Sequence, residues 1–214
     1  MNTPLCHSID QYFYHFLNMY TIYYWGSCTK FYGRALPILA ALHAANKTKG
    51  TDYEIKEPSE APPGKGFAVP IVTLENGVTI AQTTAIMEVL GEDLGLGGKT
   101  AEDKLYVKQS YLLDFTDVFS ELMKGTFSEG EGESVVTADR GHKWFSLLES
   151  RLAGGYFLGD YLSVVDMYAH FVFLWVEKKG VDMSKYEALC KWYASIKATD
   201  MMKGFVDSGV ALIP

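Results

Sequence analysis

The sequence is poor in cysteine and shows no histidine pattern suited to a metal, and these shortages exclude two kinds of protein. Its 214 residues include only three cysteines. Cys6, Cys28 and Cys190 are odd in number and widely spaced, which indicates a reducing compartment rather than a disulfide framework. The five histidines show no metal-ligand spacing with the cysteines. We therefore expect neither a disulfide-stabilised scaffold nor a zinc site.

Positive charge and long apolar runs are also scarce. The chain has 19 basic against 26 acidic residues, a net charge of −7, and no local Lys/Arg cluster, so we expect no binding to nucleic acid. No apolar run reaches the roughly 18–20 residues that a membrane span needs. Residues 1–19 lack the basic start and small-residue cleavage site of a signal peptide. We expect a cytoplasmic protein with a short N-terminal extension and no membrane partner.

Apolar and aromatic residues, by contrast, are abundant. They make up 48% of the chain, with 14 Tyr, 12 Phe and 4 Trp, which is typical of a protein with a packed core and argues against disorder. A length of 214 residues suits two modest domains that share an interface.

The first half alternates β-branched or aromatic runs with helical periodicity. In chain order it predicts a strand at 20–25, a helix at 32–45, a strand at 52–56, a Pro/Gly loop at 58–66, strands at 70–74 and 78–81, and a helix at 82–94. The helix between the first two strands implies a parallel pair. Asn76-Gly77 between two apolar runs is a strong hairpin signal. We predict a mixed four-stranded βαβ-ββα sheet domain.

The second half has helical periodicity throughout and no strand-like alternation. Its predicted helices lie at 102–123, 138–152, 164–178 and 186–195. Ser163 and Asp166 form a capping box at the start of the third of these helices. Glycines between 91 and 98 mark the link between the halves. The predicted division is an extension at 1–19, an α/β domain at 20–94, a linker at 95–98 and an all-helical domain at 99–214.

Several short motifs, taken in order, resemble one known family. Tyr-Thr-Ile-Tyr-Tyr-Trp at 20–25 is followed by Tyr-Gly-Arg-Ala-Leu-Pro at 32–37. Val69-Pro70, Gln82-Thr83 and the run from Phe157 to Asp166 come later in the chain. This arrangement, over roughly residues 20–200, resembles the tyrosine-type (alpha, mu, pi, sigma) glutathione transferases.

The resemblance implies both a fold and an activity. It implies a thioredoxin-like α/β domain followed by an all-helical domain, with glutathione as cosubstrate and no metal. The implied reaction is conjugation of the glutathione thiolate to a small hydrophobic electrophile. The resemblance also implies a homodimer, in which the thioredoxin-like domain of one subunit lies against the helices of the other.

The group that activates the thiol is left open between three residues. A thiolate is the nucleophile, and each unit by which its pKa is lowered corresponds to roughly 1.4 kcal/mol. Tyr24 occupies the position that the family uses for a hydroxyl donor to the sulfur. The segment between Tyr24 and Gly33 is about four residues longer than the family's loop, and it contains Ser27 and Cys28. Other classes of the family use Ser or Cys near this point, so both are alternatives to Tyr24.

Seven residues are expected to hold glutathione. A cis Val69–Pro70 bond would leave the Val69 backbone free to pair with the cysteinyl part, like an added strand. Gln82 and Thr83, with Thr83 as a helix N-cap, would form an anion site for the γ-glutamyl carboxylate. Thr83 stands where the family has Ser. The complete set is Trp25, Arg34, Lys65, Val69, Pro70, Gln82 and Thr83, in which Arg34 and Lys65 would approach the carboxylates.

The second substrate is expected between the loop at 26–32 and the first long helix of the helical domain. The residues predicted to line that pocket are Tyr106, Ser110, Tyr111 and Leu113. The same fold also accommodates other functions. The alternatives are a glutathione-dependent isomerase, a thiol transferase that reacts through Cys28, and a binding protein without catalytic activity.

Overall fold

The computed structural model describes residues 19–25, 32–108, 112–123, 138–152, 154–207 and 209. Its strands are β1 (Tyr20–Tyr23), β2 (Tyr53–Lys56), β3 (Ile71–Thr73) and β4 (Thr79–Ala81). Its helices are α1 (Leu36–Ala44), α2 (Thr83–Asp93), α3 (Ala101–Tyr106), α4 (Leu112–Met123), α5 (Ala138–Ser150), α6 (Val164–Lys178), α7 (Glu187–Ala198) and α8 (Asp200–Asp207). The predicted mixed sheet followed by helices is confirmed, and α8 is a helix that the sequence did not predict.

The sheet has four strands in the order β2-β1-β3-β4. β1 runs parallel to β2 and antiparallel to β3, and β3 and β4 form an antiparallel hairpin. Gly77 in the hairpin turn has a φ of 81°, a conformation that glycine adopts without steric cost. The Leu74 N–H donates to the Val78 carbonyl oxygen at 2.8 Å across this turn. The parallel pair and the hairpin both agree with the sequence prediction.

Two helices, α1 and α6, are apolar around most of their circumference and are buried accordingly. In α1 every residue from Leu36 to Leu42 is buried, and in α6 every residue from Val164 to Val176 is buried. The two helices pack against each other, and α6 also packs against α2 and α4. The buried residues of both halves belong to one hydrophobic cluster. The sheet half and the helical half therefore share a single core.

The predicted capping box at the start of α6 is confirmed, and its carboxylate is buried. Asp166 accepts from the N–H and hydroxyl of Ser163 at 3.0 and 2.7 Å. It also accepts from the Phe157 N–H at 3.2 Å and from the Trp192 indole N–H at 2.9 Å. Four donors thus converge on one side chain, which ties the start of α6 to α7 and to the preceding loop.

Gly91 lies where α2, the linker and α6 meet. Its carbonyl oxygen accepts from the N–H groups of Leu96 and Gly97 at 2.8 and 2.7 Å, and the Val164 N–H donates to Leu96 at 2.9 Å. A Cβ at position 91 would lie 2.9 Å from Val164 Cγ2 and 3.3 Å from Gly97 Cα. Glycine at this position therefore permits the close approach of the two halves.

Among the described residues, no helix is both long and apolar enough to cross a bilayer.

Candidate active site

The register of the sheet gathers three of the predicted site residues at one edge. Tyr23 pairs with Ile71, and Ile71 pairs with Ala81. Tyr24 follows Tyr23, Gln82 follows Ala81 and, because β3 runs the opposite way, Pro70 precedes Ile71, so the three residues lie at the same edge. The Tyr24 N–H donates to the Lys56 carbonyl oxygen at 3.0 Å, which extends the pairing with β2 and fixes the Tyr24 backbone.

The Tyr24 hydroxyl is buried beside the chain segment that leads into α1. Its oxygen accepts a hydrogen bond from the Arg34 backbone N–H at 3.1 Å. Burial raises the pKa of Tyr24 above its ordinary value, and the Arg34 N–H and the Arg34 charge only partly oppose this rise. The phenol is therefore protonated at neutral pH. Because its oxygen already accepts a hydrogen bond, its own proton is the group available to a ligand.

Thr83 is joined to the same segment from the other side. Its hydroxyl donates to the Arg34 carbonyl oxygen at 3.3 Å. The prediction that Thr83 is the N-cap is wrong, because α2 begins at Thr83 and Gln82 takes the N-cap position. The Arg34 backbone thus bonds to Tyr24 through its N–H and to Thr83 through its carbonyl, and it connects two of the predicted site residues.

Gln82 has an unusual backbone conformation for a residue with a side chain. Its φ is 74° and its ψ is 119°, a sparsely populated region for any residue other than glycine. Such strain costs on the order of 1–3 kcal/mol and clusters at functional sites. The side chain is exposed next to the free N–H groups at the start of α2, so both are accessible to an anion.

The Val69–Pro70 bond is cis, as predicted. Val69 and Trp25 line an open pocket of about 370 Å³ whose other wall is the loop at 58–68. Trp25 is 54% exposed, and its ring lies edge-on to the Tyr24 ring with centroids 5.4 Å apart. Lys65 is exposed in the same loop but is not among the residues that line the pocket.

The side chain of Arg34 reaches the helical half. Its guanidinium carbon lies 5.2 Å from the centre of the Phe119 ring in α4. This contact differs from the predicted one, in which Arg34 approaches a carboxylate of glutathione. Nearby, the hydroxyls of Thr116 in α4 and Tyr168 in α6 are 2.7 Å apart. Burial raises the pKa of Tyr168, and the Thr116 hydrogen bond and the Arg34 charge partly oppose this rise.

No sequence motif marks Thr116, Phe119 or Tyr168 as site residues. The helical spacing of apolar residues in α4 and α6 indicates which face of each helix is buried. It does not indicate which residues of other elements that face contacts. Of the residues predicted for the second-substrate pocket, Tyr106 is 43% exposed at the end of α3.

The remaining predicted site residues are not placed by the structure. Ser27, Cys28, Ser110 and Tyr111 lie outside the described residues, as does the side chain of Leu113. Within the described part of the chain, no group of three or more His, Cys, Asp or Glu side chains is arranged to hold a metal ion.

Comparison with known proteins gives a family match for the helical half and structural matches for most of the chain. Residues 115–200 match the model of the glutathione S-transferase C-terminal domain. No curated protein sequence matches the chain. Matches to solved structures are numerous, with 437 chains found.

Three of the solved structures illustrate the likeness. A nematode-specific glutathione transferase from Caenorhabditis elegans has a TM-score of 0.72 and 22% identity, covering 89% of this chain and 96% of its own. A Nu-class enzyme from Haemonchus contortus has a TM-score of 0.70 and 19% identity, covering 90% and 98%. Prostaglandin synthase D from Nilaparvata lugens has a TM-score of 0.64 and 20% identity, covering 88% and 97%. At 19–22% identity, these similarities show that the chain shares the fold of these proteins.

Proposed function

We propose that the chain is a glutathione S-transferase, the family whose C-terminal domain model matches residues 115–200, and that it conjugates the glutathione thiolate to a small hydrophobic electrophile. The observation that carries this proposal is the hydrogen bond from the Arg34 N–H to the Tyr24 hydroxyl. It holds a protonated phenol at the edge of the sheet, next to Pro70 and Gln82, with its O–H available to a sulfur atom.

Tyr24 acts in this proposal as a hydrogen-bond donor and not as a base. A thiol with a pKa near 8.5 is only a few per cent ionised at pH 7. A donor directed at the sulfur stabilises the thiolate and so lowers the thiol pKa. The raised pKa of Tyr24 suits this role, because the phenol stays protonated while the thiol loses its proton to solvent.

Glutathione would lie along the same edge of the sheet. The Val69 backbone N–H and C=O, for which the described residues provide no partner, would pair with the cysteinyl unit. The start of α2, with the Gln82 amide, would receive the γ-glutamyl carboxylate. Trp25 and Lys65 would lie along the remaining, glycyl end.

The electrophile would occupy the space between this edge and the helical half. Arg34 and Phe119 lie at that junction, where the guanidinium contacts the Phe119 ring. Tyr106, Ser110, Tyr111 and Leu113 remain the proposed further lining. Aromatic walls with few polar groups favour an apolar molecule.

We also propose that the protein is a cytoplasmic homodimer. Large exposed apolar side chains occur on both halves, among them Phe67 at 102% and Leu105 at 50% exposure. An interface that joins the sheet half of one subunit to the helical half of the other has apolar side chains to bury on each side. A monomer at micromolar concentration in sedimentation equilibrium contradicts this.

An isomerase is the second candidate, because the same thiolate can add to a substrate and leave again. One of the solved structures with this fold carries the name prostaglandin synthase. Product analysis separates the two reactions, since an isomerase consumes no glutathione whereas a transferase consumes one molecule per turnover.

The test compares Tyr24→Phe with Tyr23→Phe, which removes the neighbouring hydroxyl of the same strand. Loss of one donor to an anion costs roughly 1.5–3 kcal/mol, so we expect Tyr24→Phe to lower the conjugation rate at neutral pH about ten- to a hundredfold. Thiolate absorbance against pH should show the pKa of bound glutathione rising by about one unit or more. Tyr23→Phe should retain both properties.

Ser27→Ala and Cys28→Ala, measured in the same assays, address the alternatives. If Tyr24→Phe keeps full activity while one of these variants is inactive, the serine or cysteine carries the reaction and the role of Tyr24 is wrong. Activity restricted to disulfide substrates, and lost in Cys28→Ala, identifies a thiol transferase. Binding of glutathione without any turnover identifies a binding protein.

A further inference from the structure

The short turn before α1 is held by side chains from two other elements. Gly33–Ala35 form a single 3₁₀ turn that leads into α1, and the side chain of the preceding residue, Tyr32, does not cap it. The Arg34 N–H donates to the Tyr24 hydroxyl at 3.1 Å, and the Arg34 carbonyl oxygen accepts from the Thr83 hydroxyl at 3.3 Å. Among the described residues, these two side chains are the ones that hydrogen-bond to the main chain of the turn.

The orientation of this turn determines how Arg34 meets the Tyr24 hydroxyl. Within the turn, the Ala35 N–H donates to the Tyr32 carbonyl oxygen at 2.7 Å, a bond that closes the turn but does not tie it to another element. The Thr83 hydroxyl ties it to α2. Because a hydrogen bond weakens steeply as its angle departs from linearity, the bond to Tyr24 depends on how the turn is held.

Thr83 is suited to hold the turn because its own position is fixed. It is the first residue of α2, it is only 8% exposed, and α2 packs against α1. A hydroxyl that is removed from water needs a hydrogen-bond partner, and the Arg34 carbonyl supplies it. The bond therefore joins the starts of the two helices.

The same bond commits the proton of the Thr83 hydroxyl. A hydroxyl has one O–H to donate, and a carboxylate can only accept. Since the Thr83 proton is donated to the Arg34 carbonyl oxygen, a γ-glutamyl carboxylate at the start of α2 would receive main-chain N–H groups and the Gln82 amide. The hydroxyl of Thr83 is then left with a role inside the protein.

We propose that the Thr83 hydroxyl positions Tyr24 through the main chain of Arg34 and is not itself a donor to glutathione. This inference rests on the proposed function, in which the Tyr24 O–H stabilises the thiolate. While Thr83 holds the Arg34 carbonyl, the Arg34 N–H occupies the Tyr24 oxygen and leaves the phenol proton to the sulfur. Without the Thr83 hydroxyl the turn is free to shift, and the phenol donates less well to the thiolate.

The test follows the thiol of bound glutathione by its thiolate absorbance against pH. Thr83→Val keeps the shape of the side chain and removes the hydroxyl. We expect the pKa of the bound thiol to rise by about half a unit and the conjugation rate at neutral pH to fall about threefold. The rate loss should disappear above the raised pKa, and Thr83→Ser, which keeps a hydroxyl, should restore both properties.

Two controls separate positioning from direct contact and from general damage. The affinity for S-methylglutathione, which has no thiol, should be the same in wild type, Thr83→Val and Thr83→Ser. Thr79→Val removes the same group from the hairpin that leads into α2, where the hydroxyls of Thr73 and Thr79 are 2.9 Å apart. It should leave the pKa of the bound thiol unchanged.

A double variant tests whether Thr83 acts through Tyr24. In the Tyr24→Phe background, adding Thr83→Val should raise the pKa of the bound thiol no further, because the phenol hydroxyl that Thr83 positions is already gone. A further rise as large as in the wild-type background means that Thr83 acts independently of Tyr24 and overturns the inference.

Two other results overturn it as well. Weaker binding of S-methylglutathione in Thr83→Val, with an unchanged thiol pKa, makes the hydroxyl a direct contact to glutathione. An unchanged thiol pKa with unchanged affinity makes it a structural group only. If Thr83→Val does not fold, Thr83→Ala takes its place with the same expectations. If Tyr24→Phe has no effect, the proposed function fails and this inference with it, whereas a defective Tyr24→Phe beside a normal Thr83→Val overturns this inference alone.

Discussion

At the scale of single residues, Gln82 combines a strained backbone with an exposed amide at the start of α2. Gln82→Ala removes the amide, which in our proposal contacts glutathione equally in the ground state and the transition state. We expect about tenfold weaker glutathione binding, from a loss of roughly 1.5 kcal/mol, with kcat little changed. Calorimetric titration measures the affinity, and an unchanged value contradicts the assignment.

Gln82→Gly is the matched control for the backbone. Glycine accepts a positive φ without strain, so this variant removes the amide and also relieves the backbone strain at position 82. We expect the same weakening of glutathione binding as in Gln82→Ala together with higher thermal stability than the alanine variant. Restored affinity in the glycine variant would attribute the binding effect to the backbone and not to the amide.

His170 makes the stability of the fold depend on pH. Its pKa of about 4 in the folded protein lies below the ordinary value near 6.5. The unfolded chain therefore takes up a proton as the pH falls through 6.5, whereas the folded protein does so only near pH 4. Stability is fully present above pH 6.5 and is lost progressively down to about pH 4, by about 3 kcal/mol.

The measurement is urea unfolding of the wild type and His170→Phe at several pH values between 7 and 4. The groups that face His170 are Glu177 on α6, Tyr193 and Lys197 on α7, and Lys203 and Asp207 on α8, and all are kept in the variant. We expect the difference in unfolding free energy between the two proteins to shift in favour of His170→Phe as the pH falls. A difference that stays constant with pH is inconsistent with a buried neutral histidine.

At the scale of elements, most of the fold could be predicted because each element has a local signal. The Asn76-Gly77 turn and the Ser163–Asp166 capping box are both determined by neighbours in sequence, and both are confirmed. α8 was missed because its eight residues are too few for the helical spacing of Met202 and Phe205 to distinguish a helix from a loop. Its packing on α1 and α7, a tertiary effect, compensates for the short length.

The start of α6 offers a test of how much one buried carboxylate contributes to the free energy of unfolding. Asp166→Ala leaves the donors of Ser163, Phe157 and Trp192 without their acceptor. We expect a loss of about 3–5 kcal/mol in the free energy of unfolding. Asp160→Ala is the control, because Asp160 is 89% exposed in its side chain and lies 3.9 Å from Lys99. Equal stability of the two variants would show that the buried hydrogen bonds contribute little.

Gly91 is a position where local preference and tertiary packing disagree. Alanine favours a helix by about 1 kcal/mol over glycine, yet its Cβ would lie 2.9 Å from Val164 Cγ2. Overpacking costs about 1–3 kcal/mol, so we expect Gly91→Ala to lower the melting temperature. Adding Val164→Ala should recover part of the loss, a positive coupling in a double-mutant cycle. A stabilised Gly91→Ala protein contradicts the close approach.

At the scale of the whole molecule, the candidate site lies where the two halves meet. The contacts between the halves were the hardest part of the site to predict from the sequence. Tyr24, Pro70 and Gln82 could be selected because each belongs to a motif, and the sheet register places them together. The contact between Arg34 and Phe119 joins residues from different halves, so no local pattern indicates it. The loop at 26–31, with Ser27 and Cys28, is outside the described residues, and the choice among Tyr24, Ser27 and Cys28 therefore stays a prediction.

The main chain and the side chain of Arg34 make contacts with different parts of the molecule. The main chain bonds to Tyr24 and Thr83, contacts that any residue other than proline can make through its N–H and C=O. The side chain alone reaches Phe119. Substitutions at position 34 can therefore alter the boundary with the helical half while the hydrogen bond to the phenol is kept. If the protein is the transferase proposed above, the range of electrophiles that it accepts is free to change during evolution while the Tyr24 phenol stays in place.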